Sequence, residues 1–206
     1  MNEQVRVVVA LPTRGLIFAR TLTSMLENGL TEYCIVNGLP LPDCHNEAVR
    51  QALEKNATHV FLLEDDIYLP PGTLQKMLEI DAPVVFVNYP VLDTGEGTGT
   101  ILTRHGLVWH GPTGCALVKR EVFNKMKFPW FETKQSFDAR TFNPINIPTK
   151  YGGQDIHWGY KLRTLHIEMR QVPNWQVEHM RCAQLTRIEL NKGCYDIRAL
   201  TPLREP

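Results

Sequence analysis

The first ninety residues alternate between two hydrophobic periods, and this alternation narrows the possible folds more than any other feature of the chain. Residues 5–11 (VRVVVAL), 33–37 (YCIVN), 58–64 (THVFLLE) and 83–89 (PVVFVNY) are short runs rich in apolar and β-branched side chains. Continuous runs of this kind mark strands buried on both faces. The segments between them carry helical spacing. In 15–29, Phe18, Leu22, Met25 and Leu26 recur at that spacing and Gly29 supplies a stop. In 42–56, Asp43 lies near the start, with Ala48, Val49, Ala52 and Leu53 inside. Segment 70–80 opens on prolines, which suit the first turn of a helix. Four strands alternating with three helices predict right-handed crossovers, and so an α/β, Rossmann-like domain with a mainly parallel central sheet and helices on both faces. In such sheets ligands bind outside the carboxyl ends of the strands.

The second half is less regular. Residues 93–100 (DTGEGTGT) have the composition of a hairpin tip or mobile loop. Residues 106–123 predict strand, turn, strand and helix. Segment 128–150 has aromatics and three prolines but no sustained period, the pattern of a binding loop or lid. Residues 151–165 predict a turn into a helix with Trp158, Leu162 and Leu165 on one face, and 171–180 a last short strand. We therefore expect a single domain over 1–206: a nucleotide-binding half (1–90), an acceptor and catalytic half (91–181) and a C-terminal extension (182–206).

Composition lends several function classes no support. The 206 residues are long enough to bury a core. Lys plus Arg and Asp plus Glu balance at 22 each, so no net field draws the chain to nucleic acid or anionic membrane, and no nucleic-acid reading motif is present. The five cysteines are scattered, with no C-x-x-C pair, which indicates neither a disulfide framework nor a zinc site. The start carries no basic leader before a long apolar stretch, and no segment has membrane-spanning length, so a cytoplasmic setting is expected.

The third strand ends in three adjacent acids, Glu64, Asp65 and Asp66. Adjacent carboxylates repel one another unless something positive sits among them. Side chains alternate along extended backbone, so Glu64 and Asp66 face one way and Asp65 the other. Two carboxylates on one side can hold a divalent cation together with a diphosphate, and oxygen ligands suit magnesium or manganese. A solvated acidic turn, with Asp66 capping the next helix, is the structural alternative.

The ordered series of features resembles the GT-A-fold nucleotide-sugar glycosyltransferases, especially the family-2-like enzymes, over roughly residues 5–181. It comprises an opening strand ending in the polar turn Pro12-Thr13-Arg14, then Asn46 in the second helix region. The Glu64-Asp65-Asp66 element follows the third strand. Next come the Gly-rich strand and basic helix start GPTGCALVKREVF, which contains Gly114, then Gln154-Asp155 at a helix start, and the late His179. The resemblance implies a metal-dependent transfer of sugar from a nucleoside-diphosphate sugar, a UDP-sugar being favoured, to an acceptor hydroxyl, with inversion. It implies Asp66 and His179 as ligands of Mn2+ or Mg2+. Pro12, Thr13, Arg14, Asn46, Glu64 and Asp65 become donor contacts and Asp155 the general base. Gly114, Gln154, His110 and Trp130 become acceptor contacts.

Each role has a bland counterpart. Arg14 could be an exposed helix-start residue, His179 a strand-end histidine and Asp155 a helix cap, while Trp130, Phe131 and Phe137 could form either a sugar-stacking surface or simple loop packing. Trp158 and Trp175 are expected in the core. Lys119, Arg120, Lys125 and Lys127 are expected to form a solvated helix face. Three departures from the family pattern stand out: Glu64 for the first Asp, Gln154 for the acid before the base, and His45 for an Arg before the Asn. A nucleotidyltransferase, or a noncatalytic nucleotide-sugar-binding protein, is the competing reading. A first loop with one Gly and no Lys (LPTRGLIF) speaks against the former.

Overall fold

Strands β1 (Val7–Pro12), β2 (Tyr33–Val36), β3 (His59–Leu63), β5 (Val84–Asn88), β8 (Cys115–Lys119) and β11 (Met169–Gln176) hydrogen-bond into one six-stranded sheet. They are seen in a computed structural model that describes residues 4–90, 101–102, 108–132, 136–137, 144–145 and 154–180. The 93–100 loop, most of the 128–150 segment and the 182–206 extension lie outside the described residues. Short pairs complete the strands: β4 (Ile67–Tyr68) with β12 (Glu178–His179), β6 (Ile101–Leu102) with β7 (Val108–His110), and β9 (Ser136–Phe137) with β10 (Pro144–Ile145). The helices are α1 (Ala19–Glu27), α2 (Asp43–Glu54), α3 (Thr73–Ile80), α4 (Arg120–Lys125) and α5 (Gln154–Thr164).

The sheet order is β11-β5-β8-β3-β1-β2. β1 is parallel to β2 and to β3, and β11 is parallel to β5. β8 is antiparallel to both β3 and β5, so it is the one reversed strand. This is an α/β, Rossmann-like fold with a mainly parallel sheet, as expected. The two flanks of β1 are taken by β2 and β3, which makes their carboxyl ends a topological switch point, the place where sheets of this kind bind ligands.

The continuous apolar runs are buried on both faces. Val8, Ala10, Val60, Leu62, Val84 and Phe86 join one core, with residues of α2, α4 and α5. Val9, Leu11, Phe61, Leu63, Val85 and Val87 join the other, with Met25 of α1 and Met77 of α3. Trp158 is fully buried and Trp175 packs against the second core.

Several local expectations shift. Helix α3 starts after both prolines, because Gly72 adopts a left-handed conformation (φ 85°) before Thr73. Leu26 and Leu165 are exposed; α5 has already ended at Thr164. Arg120 does not join a solvated face. Its guanidinium donates to the Leu53 and Ala57 carbonyls (3.0 and 3.2 Å), closing the carboxyl end of α2. Gly29 does stop α1. At φ 74° it lets its own N–H reach the Leu26 carbonyl and that of Leu30 reach Met25, a Schellman closure.

Asn46 is buried in α2, and its side chain is engaged on both sides by one residue. Its Nδ2 donates to the Phe131 carbonyl (2.9 Å), and its Oδ1 accepts from the Phe131 N–H (3.0 Å). Phe131 is itself fully buried. Asn46→Ala leaves two main-chain groups there without partners, so chemical denaturation should show a loss of about 2–4 kcal/mol. A loss below about 0.5 kcal/mol would contradict this anchoring.

Candidate active site

The acid triplet lies where β3 leaves the sheet. The chain turns at 64–67, with the Ile67 N–H donating to the Glu64 carbonyl (3.4 Å), and enters β4. Helix α1 holds this turn through an inward polar face. Thr21 Oγ1 donates to the Asp65 carbonyl (3.0 Å), Ser24 Oγ accepts from the Leu69 N–H (3.1 Å), and Asn28 Nδ2 donates to the Leu69 and Pro70 carbonyls (3.2 and 3.3 Å). These three positions were missed in the sequence. Their signal was there: polar residues at i, i+3 and i+7 on a face that an amphipathic helix should bury.

The alternation expected for the acids is realised. Glu64 and Asp66 meet His179, each offering one ligand atom within 4.8 Å of the other two. Asp65 turns instead toward β1, where the Arg14 N–H donates to its Oδ2 (3.4 Å). Burial pushes the Asp65 carboxyl up, while the Thr13 hydroxyl and the Arg14 main chain ease its ionisation. Thr13 is buried and closes the turn after β1, donating to the Leu16 carbonyl (2.9 Å) and accepting from the Gly15 N–H (3.1 Å). Pro12 ends β1, and the Arg14 side chain is exposed beside Asp65.

Pairing of β12 with β4 places His179 opposite Ile67, next to Asp66. The Met180 N–H donates to the Asp66 carbonyl (2.6 Å) and fixes that register. His179 Nε2 lies 3.0 Å from Asp66 Oδ2, and Nδ1 lies 3.2 Å from the Pro90 carbonyl. A carbonyl only accepts, so Nδ1 carries a proton. In the neutral ring Nε2 then presents a lone pair to a carboxylate oxygen, which calls for a proton or a metal ion between them. A histidine whose outer nitrogen donates to a backbone carbonyl is the usual arrangement at metal centres. Two carboxylates and one imidazole therefore fit a divalent cation. Imidazole is a better ligand for transition metals than for magnesium, so the set suits manganese more.

Tyr89 is buried, stacks edge-on against His179 (5.2 Å between ring centres) and sends its hydroxyl to Gly114. A Cβ on Gly114 would lie 2.3 Å from that hydroxyl and 2.8 Å from Glu64 Oε2. Any larger residue at 114 would have to displace these two side-chain ends, and the Gly114 carbonyl accepts from the Glu64 N–H (3.1 Å). The sequence marked Gly114 but not Tyr89, which reads there as the end of an apolar strand.

Burial pushes the Glu64 carboxyl up to about 7, with Asp66, Asp155 and Asp65 adding to the rise and His179 opposing it. An unfolded Glu titrates near 4.5. Between these values the folded protein keeps a proton that the unfolded chain has released, so Glu64 lowers stability as pH rises through this window. Buried His45, held down to about 4 by burial, acts in the opposite sense. Comparison with Glu64→Gln cancels the His45 contribution. In metal-free urea melts the Gln variant should gain on wild type by about 2.5 kcal/mol between pH 5 and pH 8. Parallel behaviour of the two proteins would contradict the placement of Glu64.

Asp155 lies in the first turn of α5, where its Oδ1 accepts from the Ile156 N–H (2.9 Å). Its charge is felt by Glu64 and by Tyr89, which brings it to the same end of the sheet. Asp155 Oδ2 lies 3.6 Å from Nε2 of buried His110. Gln154 is buried with its Oε1 unpartnered among the described residues. Trp130 packs against Phe123 and Phe128 and donates its Nε1 to the Phe123 carbonyl (3.1 Å). Asn46 and Trp130 thus make structural contacts, while Thr13, Arg14, Asp65 and the Glu64–Asp66–His179 group gather at the switch point.

No family model matches this chain, and no curated protein matches its sequence. Solved structures match it in fold. A197 from STIV superposes with a TM-score of 0.61 at 18% identity, over 86% of this chain and 86% of its own. The Drosophila β1,4-galactosyltransferase 7, solved as a mutant with manganese, UDP-Gal and xylobiose, superposes with a TM-score of 0.53 at 12% identity, over 98% of this chain and 81% of its own. Its catalytic domain with xylobiose gives 0.54 at the same identity and coverage. At such identities the likeness is one of fold: the chain has an α/β, Rossmann-like architecture similar to GT-A galactosyltransferase structures.

Proposed function

We propose that the chain is a metal-dependent glycosyltransferase that moves a sugar from a nucleoside-diphosphate sugar, with a UDP-sugar favoured, to an acceptor hydroxyl with inversion. One observation carries this reading. A metal-capable group, Glu64–Asp66–His179, and a separate helix-start carboxylate, Asp155, meet at the carboxyl ends of the strands of a GT-A-like sheet. The galactosyltransferase that shares this fold was solved with manganese, a UDP-sugar and a sugar acceptor, which supports the same chemistry here.

The residues divide the work by position. Asp66 and His179, with Glu64, would hold Mn2+ or Mg2+. When bound, the cation would neutralise charge on the diphosphate. Arg14, exposed at the neighbouring strand end, brings a guanidinium suited to phosphate oxygens. Asp65 beside it offers a carboxylate to ribose hydroxyls. Asp155 takes the proton from the acceptor hydroxyl as that oxygen bonds to the anomeric carbon and the bond to the diphosphate oxygen breaks. The Gln154 carbonyl oxygen, buried and without a partner among the described residues, would offer a hydrogen-bond acceptor beside this base to a hydroxyl-bearing substrate.

A panel of UDP-, GDP- and TDP-sugars tests this reading. The protein with manganese should release nucleoside diphosphate from one of them, and EDTA should stop it. Tight binding of a nucleotide sugar without any turnover would instead identify a binding protein.

A further inference from the structure

We infer that His110 is a positioning residue for Asp155, holding the carboxylate oxygen that Ile156 leaves free. This rests on the proposed role of Asp155 as base. The carboxylate has two oxygens, and the helix start accounts for one: Oδ1 accepts from the Ile156 N–H. The other, Oδ2, faces Nε2 of His110 at 3.6 Å, a small adjustment from hydrogen-bond distance. The opposite ring nitrogen, Nδ1, is buried without a partner among the described residues. The single proton of a neutral ring is therefore best placed on Nε2, toward Asp155.

The surroundings fix this ring. Its residue ends β7, and α5 passes against it at a glycine: a Cβ on Gly159 would lie 3.5 Å from the His110 main chain and 3.6 Å from Nδ1. Burial favours the neutral imidazole, while the Asp155 charge and a hydrogen bond to the Asp155 main chain draw it the other way. Among the described residues the other charged or titratable groups acting on the pair are Arg163, felt by His110, and Glu64 and Tyr89, which feel Asp155. A neutral N–H holds a carboxylate in place without quenching its charge. With both oxygens oriented, the lone pairs that remain on Asp155 point in defined directions, ready to receive a proton from the acceptor.

Two readouts test this on the full chain. Nitrogen-15 correlation spectra of the histidine rings should show His110 as the Nε2–H tautomer, titrating lower in Asp155→Asn than in wild type. An Nδ1–H tautomer, or a titration indifferent to Asp155→Asn, overturns the pairing. Both readouts are independent of turnover, so a chain without transferase activity would sink the functional reading and leave this one standing. In the nucleotide-sugar hydrolysis assay, His110→Leu should lower kcat about tenfold or more with KM unchanged. His110→Gln, which keeps an N–H near the Nε2 position, should recover most of it. Equal loss in both variants, or none in His110→Leu, assigns His110 to packing alone.

Discussion

Asp155→Asn is expected to fold, to bind the donor, and to lose at least about a hundredfold in transfer rate. The substitution keeps the size of the side chain and its ability to accept from the Ile156 N–H, so the start of α5 should be undisturbed. What it removes is the oxygen basicity that takes a proton from an attacking hydroxyl. A residue that only caps the helix predicts the reverse pattern, a small change in stability with near-normal kinetics. Transfer or hydrolysis rates, measured with donor affinity alongside, separate the two. Near-wild-type turnover in the Asn variant would remove Asp155 from the mechanism and leave inversion without its base.

The second large effect concerns Asp66. Asp66→Asn replaces an anionic ligand with a neutral amide and leaves His179 Nε2 beside a group with no negative charge. Manganese affinity, followed by the loss of the free-ion electron paramagnetic resonance signal, should fall at least about a hundredfold. The Met180-to-Asp66 and Ile67-to-Glu64 main-chain contacts do not depend on the carboxylate, so the fold should persist. Unchanged manganese affinity would reduce the triplet to an acidic turn.

Much of this architecture could be read from the chain, and the failures share a cause. β1, β3 and β5 are legible because a strand covered on both faces must be apolar at every position, and that signature is local. The reversed placement of β8 between β3 and β5 is not local, and nothing in CALVK distinguishes a parallel neighbour from an antiparallel one. The opposition of Glu64 and Asp66 to Asp65 followed from strand alternation, and it survives although the backbone is already turning at 64–67. His179 was marked by resemblance alone. Its approach to Asp66 depends on the two-residue pairing of β12 with β4, which has no sequence signature of its own. Asn46 was likewise marked by resemblance alone. Its amide matches one peptide unit at Phe131, 85 positions along the chain, a pairing with no local signature. Tyr89 was hidden because an aromatic at the end of an apolar strand looks like core until its hydroxyl is seen against Gly114.

The central claim is that Glu64, Asp66 and His179 hold a divalent cation that carries the diphosphate of the donor. Calorimetric titration of UDP into the wild-type protein, once with manganese and once with EDTA, tests it most directly. The account predicts saturable binding near one UDP per chain with manganese and a loss of at least about a hundredfold in affinity with EDTA. Equal UDP affinity in both buffers, or no binding in either, would contradict it.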